Sequence, residues 1–205
     1  MLAPIVLLSW PVVVGVLFAR LPLQRALVIA IVAGYLLLPQ RPVYNFPGVP
    51  AIDKHLIPSV AALVFCMLGD RGRPGATPPW RDAGWLPRSP VIWIALACYM
   101  VAPALTYLAN TQPVWRAGGA IPPLSPYDAV AAIGRQCVIL LPFLLARRYL
   151  GSPEGQMTAL KLFALAGLAY SLPVLMEVRL SPQLNKWIYG FTQFNFAQQR
   201  RGDGF

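Results

Sequence analysis

The chain has 205 residues, of which 57% are hydrophobic and only 12% are charged. A soluble domain carries about 25% charged residues, and one core in a chain of this size cannot cover so much apolar surface. The formal net charge of +10 comes from 17 Lys and Arg against 7 Asp and Glu. This composition excludes a soluble globular protein. It favours a membrane protein whose basic residues mark topology and contact anionic lipid, with no nucleic acid as partner.

Cysteine and histidine usage argues against the common metal and disulfide frameworks. Three cysteines lie inside apolar runs: Cys66, Cys98 and Cys137. An odd number without a CxxC motif, together with a single histidine, argues against zinc and against a disulfide-stabilised domain. We therefore expect membrane-buried thiols and no metal or other cofactor. The histidine, His55, lies beside Lys54 and is interpreted as an interfacial residue rather than a catalyst.

Six apolar runs are long enough, or nearly so, to cross a bilayer as helices, since a hydrocarbon core about 30 Å thick needs about 20 residues. The predicted spans are Leu2–Phe18, Leu23–Leu38, Leu56–Leu68, Val91–Leu108, Pro126–Leu145 and Ala159–Met176. The second and third are short and could instead be re-entrant. No basic region precedes the first run, which favours a span over a cleaved signal peptide. The runs do not alternate, so the predicted fold class is an all-α, polytopic transmembrane helix bundle.

Basic residues alternate between the loops and so predict the orientation. The first, third and fifth connections hold nine Lys and Arg: Arg20, Arg25, Arg71, Arg73, Arg81, Arg88, Arg147, Arg148 and Lys161. The intervening loops hold three: Arg41, Lys54 and Arg116. By the positive-inside rule, the larger set faces the cytoplasm. Residues 1–180 are then the transmembrane bundle, and residues 181–205 begin a periplasmic loop.

The fifth run carries a charge deep in the predicted bilayer. Ser125, Pro126 and Asp128 have the pattern of a capped helix start. Arg135 follows at roughly 13 Å below that end, where an Arg costs at least ~2.5 kcal/mol and therefore needs a polar surrounding. One interpretation is an outward-facing cavity in which Arg135 holds an anion such as a pyrophosphate. The other is snorkelling or an internal ion pair with Asp128 or with Glu177, which ends the sixth run.

A second group of polar residues follows the sixth run. Ser181 and Pro182 indicate a helix start, and Leu184, Trp187, Ile188 and Phe191 form an apolar stripe at helical spacing. This pattern predicts a short amphipathic helix in the membrane interface. Beyond it lie Gln199, Arg200 and Arg201. These amide and basic groups would hold a lipid-linked phosphate or a sugar, or serve as ordinary interfacial anchors.

Several strings resemble bacterial O-antigen ligases and O-antigen or exopolysaccharide polymerases. They are Tyr170–Pro173, Glu177–Leu184, Tyr189–Phe191 and Gln198–Phe205, with a weaker match at Pro47–Lys54. The resemblance implies a metal-independent glycosyltransferase of the C-type fold, with this chain as the N-terminal part of a larger bundle in the inner membrane. It implies undecaprenyl-pyrophosphate-linked glycans as substrates at the periplasmic face, and other polysaccharide-assembly membrane proteins as partners.

The resemblance also suggests which residues bind the substrate. In that family, arginines at the outer face are thought to hold the pyrophosphate, and Arg201, followed by Arg200, is the best match here. The predicted substrate-binding residues are Arg135, Glu177, Gln199, Arg200 and Arg201. The family's candidate base, a histidine in a large periplasmic loop, would lie downstream of these residues. No catalytic residue is therefore assigned, and the fragment alone is expected to be inactive.

Two other functional classes are compatible with the same sequence features. A transporter or a flippase for lipid-linked glycans would also place a charge within the membrane, but it should have paired halves with broken helices. A non-catalytic membrane scaffold would need neither a cavity nor a bound anion. Ligase and polymerase activities are not distinguished by these residues.

Overall fold

The computed structural model describes residues 2–46, 50–71, 84–116, 119–180 and 184–191. Its elements in chain order are α1 (Leu2–Arg20), α2 (Leu23–Leu37), α3 (Leu56–Arg71), α4 (Pro90–Ala109), β1 (Val114–Arg116), β2 (Gly119–Ile121), α5 (Pro126–Tyr149), α6 (Pro153–Leu180) and α7 (Leu184–Tyr189). The helical fold class is confirmed. The described strands form one antiparallel hairpin in the connection between α4 and α5.

Four helices are long and apolar enough to cross a membrane: α1, α4, α5 and α6. The remaining two apolar helices, α2 and α3, are shorter. Within the described residues, the structure therefore supports four membrane-spanning helices, and the total of six spans stays a prediction. The short lengths of α2 and α3 agree with the doubt that the sequence raises about these two runs.

Polar side chains close the N-termini of two helices that border the site described below. The capping box of α5 is confirmed, since the Ser125 hydroxyl accepts from the Asp128 N–H and the Asp128 carboxylate accepts from the Ser125 N–H. At α3, the Asp53 Oδ1 atom accepts from the N–H groups of His55 (2.8 Å) and Leu56 (2.9 Å). These bonds satisfy backbone donors that the first helical turn leaves free.

The core lies around α3, which packs against α1, α2 and α5. One cluster joins α1 to α2 and α3 through Leu7, Trp10, Val14, Ala30, Leu38 and Ala61. A second joins α2 and α3 to α5 through Leu27, Ala62, Cys66, Leu145 and Tyr149. Small residues on α2 and α3 let the helices approach closely, as is common where helices pack within membranes.

Gly34 marks a close contact between helices. A Cβ atom added there would lie 2.6 Å from Pro58 Cγ and 3.0 Å from Trp10 Nε1. The Trp10 indole is itself held in place, because its N–H donates to the carbonyl oxygen of Ala30 at 3.3 Å. Three helices therefore meet where α2 has no side chain.

Most of the apolar surface of α4 and α6 faces outward. In each of these helices, no residue of the most apolar 18-residue stretch is buried. Exposed fractions reach 71% at Val91 and Leu168 and 80% at Val178. Each helix packs mainly on one neighbour, α4 on α5 and α6 on α2. This exposure is compatible with a membrane protein in which acyl chains cover the outer faces of the two helices.

The basic connections meet at one end of the bundle. Arg147 on α5 donates to the carbonyl oxygen of Leu86, which precedes α4, at 2.9 Å. Gln24 on α2 donates to the carbonyl oxygen of Tyr149 at 3.0 Å. The connections that the sequence groups together are therefore neighbours in space, while their cytoplasmic location stays a prediction. Two arginines of this group lie outside the described residues: Arg73 and Arg81.

Candidate anion-binding cavity

A cavity of about 530 Å³ lies at the opposite end of the bundle, between the segment before α3 and the first turns of α5. We call it the polar cavity, and its titratable lining residues are Asp53, Lys54, His55, Tyr127, Asp128 and Arg135. Its size falls within the range of small-molecule sites in proteins. The structure thus joins Arg135, which the sequence singles out, to a segment that is distant along the chain.

Backbone contacts hold this segment against α5. Tyr44 and Ile52 exchange two backbone hydrogen bonds, of 3.1 and 2.9 Å, which close the loop between them. Pro50 packs on α5 at Gly134, where an added Cβ would lie 3.0 Å from the proline Cγ. Asp53 then fixes the turn that enters α3. These long-range contacts bring the residues that follow Ile52 to the same cavity as α5.

The two carboxylates of the polar cavity are engaged with backbone and hydroxyl donors. Asp53 accepts from two backbone N–H groups, as described above. Asp128 Oδ2 accepts from the Ser125 N–H at 2.8 Å and from the Ser125 hydroxyl at 2.7 Å. Among the described residues, neither Lys54 nor Arg135 forms an ion pair with them. Within the described part of the chain, the lining therefore carries two cations that no carboxylate contacts directly, and two carboxylates that are held by donors at helix starts.

The surroundings of His55 favour the neutral form of its imidazole. Burial lowers the pKa of its imidazole below the ordinary value; Asp53 opposes that shift, and Lys54 and Arg135 add to it. The ring lies edge-on to the Tyr35 ring, with centroids 5.0 Å apart. From the sequence, His55 is interpreted as an interfacial residue, and its position in the same cavity as Arg135 is not foreseen.

A second cavity, of about 700 Å³, lies between α2, α6 and α7. We call it the α2–α6 groove. Its apolar part is lined by Val28, Ile29, Val32, Leu162, Leu165, Ala166 and Ala169. Its polar part is lined by Tyr35, Lys54, Tyr170, Glu177, Asn185 and Tyr189. Lys54 therefore borders both the groove and the polar cavity.

The short helix α7 closes one side of this groove. The Tyr189 hydroxyl donates to the carbonyl oxygen of Leu37, which joins α7 to the end of α2. Gly190 follows with φ +80°, a left-handed conformation that favours glycine at the end of a helix. The side-chain nitrogen of Asn185 is buried without a hydrogen-bond partner among the described residues. A short helix is thus present over Leu184–Tyr189, and it positions polar groups over an apolar groove. Its predicted start at Ser181 and Pro182 lies outside the described residues, and its interfacial location stays a prediction.

The two described residues among the predicted substrate-binding set line different cavities. Arg135 lines the polar cavity, whereas Glu177 lines the α2–α6 groove. Among the described residues, Arg135 forms an ion pair neither with Asp128 nor with Glu177. Three predicted residues lie outside the described part of the chain: Gln199, Arg200 and Arg201.

Lys54 lines the polar cavity, although the sequence assigns it only to the basic residues that predict orientation. Its signal is local: a basic residue directly after Asp53, the residue that caps α3. A cation beside a helix start is unfavourable with respect to the helix dipole, so its presence there calls for another cause. What the sequence lacks is any indication that this turn lies against the first turns of α5.

Comparisons with known proteins identify no family for this chain. No protein-family model, curated protein or solved structure matches the chain. The fold and the two cavities together define a helical bundle, compatible with a membrane protein. A polar cavity lined by two cations and two carboxylates lies beside an apolar groove. The protein's function is argued from these features.

Proposed function

We propose that this protein acts in surface-polysaccharide assembly, where it binds an undecaprenyl-pyrophosphate-linked glycan at the periplasmic face of the inner membrane. The observation that carries the proposal is the position of Lys54, which lines both the polar cavity and the α2–α6 groove. A lipid-linked pyrophosphate has an anionic head and a hydrocarbon tail, which need surroundings of opposite polarity. The two adjoining cavities supply both.

The polar cavity suits the pyrophosphate. The guanidinium of Arg135 can donate two parallel hydrogen bonds to phosphate oxygens, and the ammonium of Lys54 adds a compact positive charge. Because Asp53 and Asp128 are occupied with helix caps, they do not compete directly for these cations. An anion entering the cavity therefore meets two cations, Lys54 and the exposed Arg135, that make no ion pair with the described carboxylates.

The α2–α6 groove suits the part of the polyprenyl chain nearest the phosphate. Its walls are aliphatic along α2 and α6, and its polar groups lie at the end that Lys54 shares with the polar cavity. Helix α6 also exposes apolar side chains outside the groove, among them Leu160, Leu168 and Leu172, so a longer chain can continue into lipid. Burying a CH₂ group contributes about 0.8 kcal/mol, which makes even a short buried segment of the chain significant.

The proposed activity of the intact protein is glycan transfer or polymerisation, as the resemblance to O-antigen ligases and polymerases implies. When the glycan leaves the pyrophosphate, negative charge grows on the phosphate oxygens, and preorganised cations stabilise it. Arg135 and Lys54 are positioned in one cavity to do this without a metal ion. Gln199, Arg200 and Arg201 are proposed to complete the same site.

Binding of labelled undecaprenyl pyrophosphate to the chain in lipid nanodiscs tests this proposal. Arg135→Gln and Lys54→Gln should each weaken binding by about tenfold or more, since a hydrogen bond to a charged group contributes about 1.5–3 kcal/mol. Arg179→Gln and Lys186→Gln are the matched controls, because both residues are exposed and neither lines the polar cavity or the groove. Equal losses in the control variants would contradict a specific site.

Three further ligands separate the contributions of head and tail. Inorganic pyrophosphate should bind more weakly than the lipid, and undecaprenol should lose most of the dependence on Arg135. Undecaprenyl phosphate should depend on Arg135 more than undecaprenol does and less than undecaprenyl pyrophosphate does. If the lipid binds but crosses the bilayer in proteoliposomes of the intact protein, with no transfer of its glycan, the flippase alternative is favoured instead.

A further inference from the structure

His55 lines the polar cavity and is held there by hydrogen bonds of its main chain. Its N–H donates to Asp53 Oδ1 at 2.8 Å, and its carbonyl oxygen accepts from the Ser59 hydroxyl at 2.7 Å. The Ser59 hydroxyl also lies 2.9 Å from the Tyr35 hydroxyl, whose ring packs against the imidazole. Within the described residues, neither imidazole nitrogen has a hydrogen-bond partner. The imidazole is therefore a lining residue whose nitrogens no described group occupies.

The charge state of His55 favours proton acceptance over anion binding. The groups that face it are Tyr35 from α2, Asp53 and Lys54 from its own segment, and Tyr127, Asp128 and Arg135 from α5. Burial lowers the imidazole pKa, and the two cations add to this effect despite Asp53. A neutral imidazole contributes little to the binding of an anion. It can, however, accept a hydrogen bond from a hydroxyl group.

The other titratable groups of the polar cavity are less suited to accept a proton. Asp53 Oδ1 is held by two backbone N–H groups, and Asp128 Oδ2 by the Ser125 N–H and hydroxyl. Both oxygens are therefore already engaged by hydrogen-bond donors. Among the described lining residues, His55 is the best-placed base, because no described group hydrogen-bonds to its side-chain nitrogens.

We propose that His55 is the catalytic base that accepts the proton of the acceptor hydroxyl during glycan transfer, a role that rests on the proposed function. One imidazole nitrogen takes the hydroxyl proton while the hydroxyl oxygen forms its bond to the anomeric carbon of the donor. The bond from that carbon to the pyrophosphate oxygen breaks, and its electron pair leaves with undecaprenyl pyrophosphate. Arg135 and Lys54 stabilise the leaving group, and the histidinium then releases its proton to water.

This assignment differs from the one that the resemblance implies. There, the candidate base is a histidine of a loop downstream of these residues, and His55 has no catalytic role. The two assignments predict different effects of a change at His55. Both assignments require the donor to bind in the polar cavity. Donor binding can therefore be measured separately from the role of the base.

The test measures glycan transfer by the intact protein in proteoliposomes across about pH 5–8, the range in which a histidine changes charge. The wild-type rate should fall as the pH is lowered through the His55 pKa, because a protonated base cannot accept a proton. His55→Gln should lower the rate by about 10²–10⁴-fold and remove this acid limb. Donor binding should change by less than about tenfold. Added imidazole should restore part of the rate in His55→Ala, and Lys186→Gln should match the wild type.

Each other outcome overturns the base assignment. A wild-type rate in His55→Gln removes the role, and an equal loss of donor binding and transfer makes His55 a binding residue. A variant that keeps the acid limb also contradicts the assignment, since another group then titrates. If the wild-type protein binds the donor but transfers no glycan, the base assignment fails and the donor site remains. If it does not bind the donor, the proposed function fails as well.

Discussion

At the residue scale, the charges around His55 make its imidazole a probe of the polar cavity. The chain has one histidine, so an imidazole NMR signal from the labelled protein reports on this position alone. Burial is the largest cause of its lowered pKa, and Lys54 and Arg135 lower it further, whereas Asp53 raises it. Protonation of His55 is thus coupled to the same two cations that are proposed to bind pyrophosphate.

The first prediction concerns the titration of this signal. The imidazole should titrate below the ordinary histidine range in the wild-type chain. Lys54→Gln should raise the midpoint because it removes a repelling cation, and Asp53→Asn should lower it because it removes an attracting anion. A bound pyrophosphate lipid should also raise the midpoint. The measurement is the imidazole chemical shift as a function of pH.

Lys186→Gln is the control for this titration, since Lys186 lies on α7 and does not line the polar cavity. Its midpoint should match that of the wild type. An unchanged midpoint in Lys54→Gln would show that Lys54 lies too far from His55 to share a ligand with it.

At the element scale, the contact of α2 with α1 and α3 depends on the absence of a side chain at Gly34. The nearest atoms to an added Cβ belong to a proline ring and an indole, both of which are fixed by their surroundings. Proline has no flexible side chain that could move aside. Relief of the clash therefore requires a shift of helix α3 or of the Trp10 side chain.

The second prediction follows from this geometry. Gly34→Ala should destabilise the folded bundle by about 1–3 kcal/mol, because overpacking outweighs the better helix propensity of alanine. The measurement is the unfolding temperature of the detergent-solubilised protein, followed by tryptophan fluorescence. Gly167→Ala on α6 is the matched control, since nothing lies within 4 Å of the added Cβ there. Equal unfolding temperatures for the two variants would contradict the close contact.

At the scale of the whole molecule, polar and basic groups divide between the two ends of the bundle. One end joins the α1–α2, α3–α4 and α5–α6 connections through Arg147 and Gln24. The other carries the polar cavity and the polar part of the α2–α6 groove. If the lipid-linked glycan is bound at the periplasmic face, as proposed, the end that carries the polar cavity must face the periplasm.

The third prediction tests this orientation by thiol labelling. In a background without the three native cysteines, Lys186→Cys should react with a membrane-impermeant maleimide added to intact spheroplasts. Arg88→Cys, near the start of α4, should react only after the membrane is opened. Both positions are exposed, so a difference reports on the membrane side rather than on burial. The reverse pattern would place the polar cavity in the cytoplasm and contradict the proposed substrate.

The sequence by itself determined the features that depend on neighbouring residues. Apolar runs predict the helices because each segment must satisfy its own backbone groups in hydrocarbon, and Ser125 and Asp128 predict the start of α5 through local hydrogen bonds. The depth of Arg135 along its helix follows from the helical rise alone. These inferences need no knowledge of which helices are neighbours.

Only the tertiary structure decided which distant residues share a cavity. Glu177 lies apart from Arg135 because α6 packs on α2, whereas α5 packs on α3 and α4. His55 and Lys54 reach Arg135 because Pro50 packs on α5 at Gly134. Such contacts depend on the fit of side chains that are distant in sequence, and neither hydrophobic periodicity nor helix capping specifies that fit.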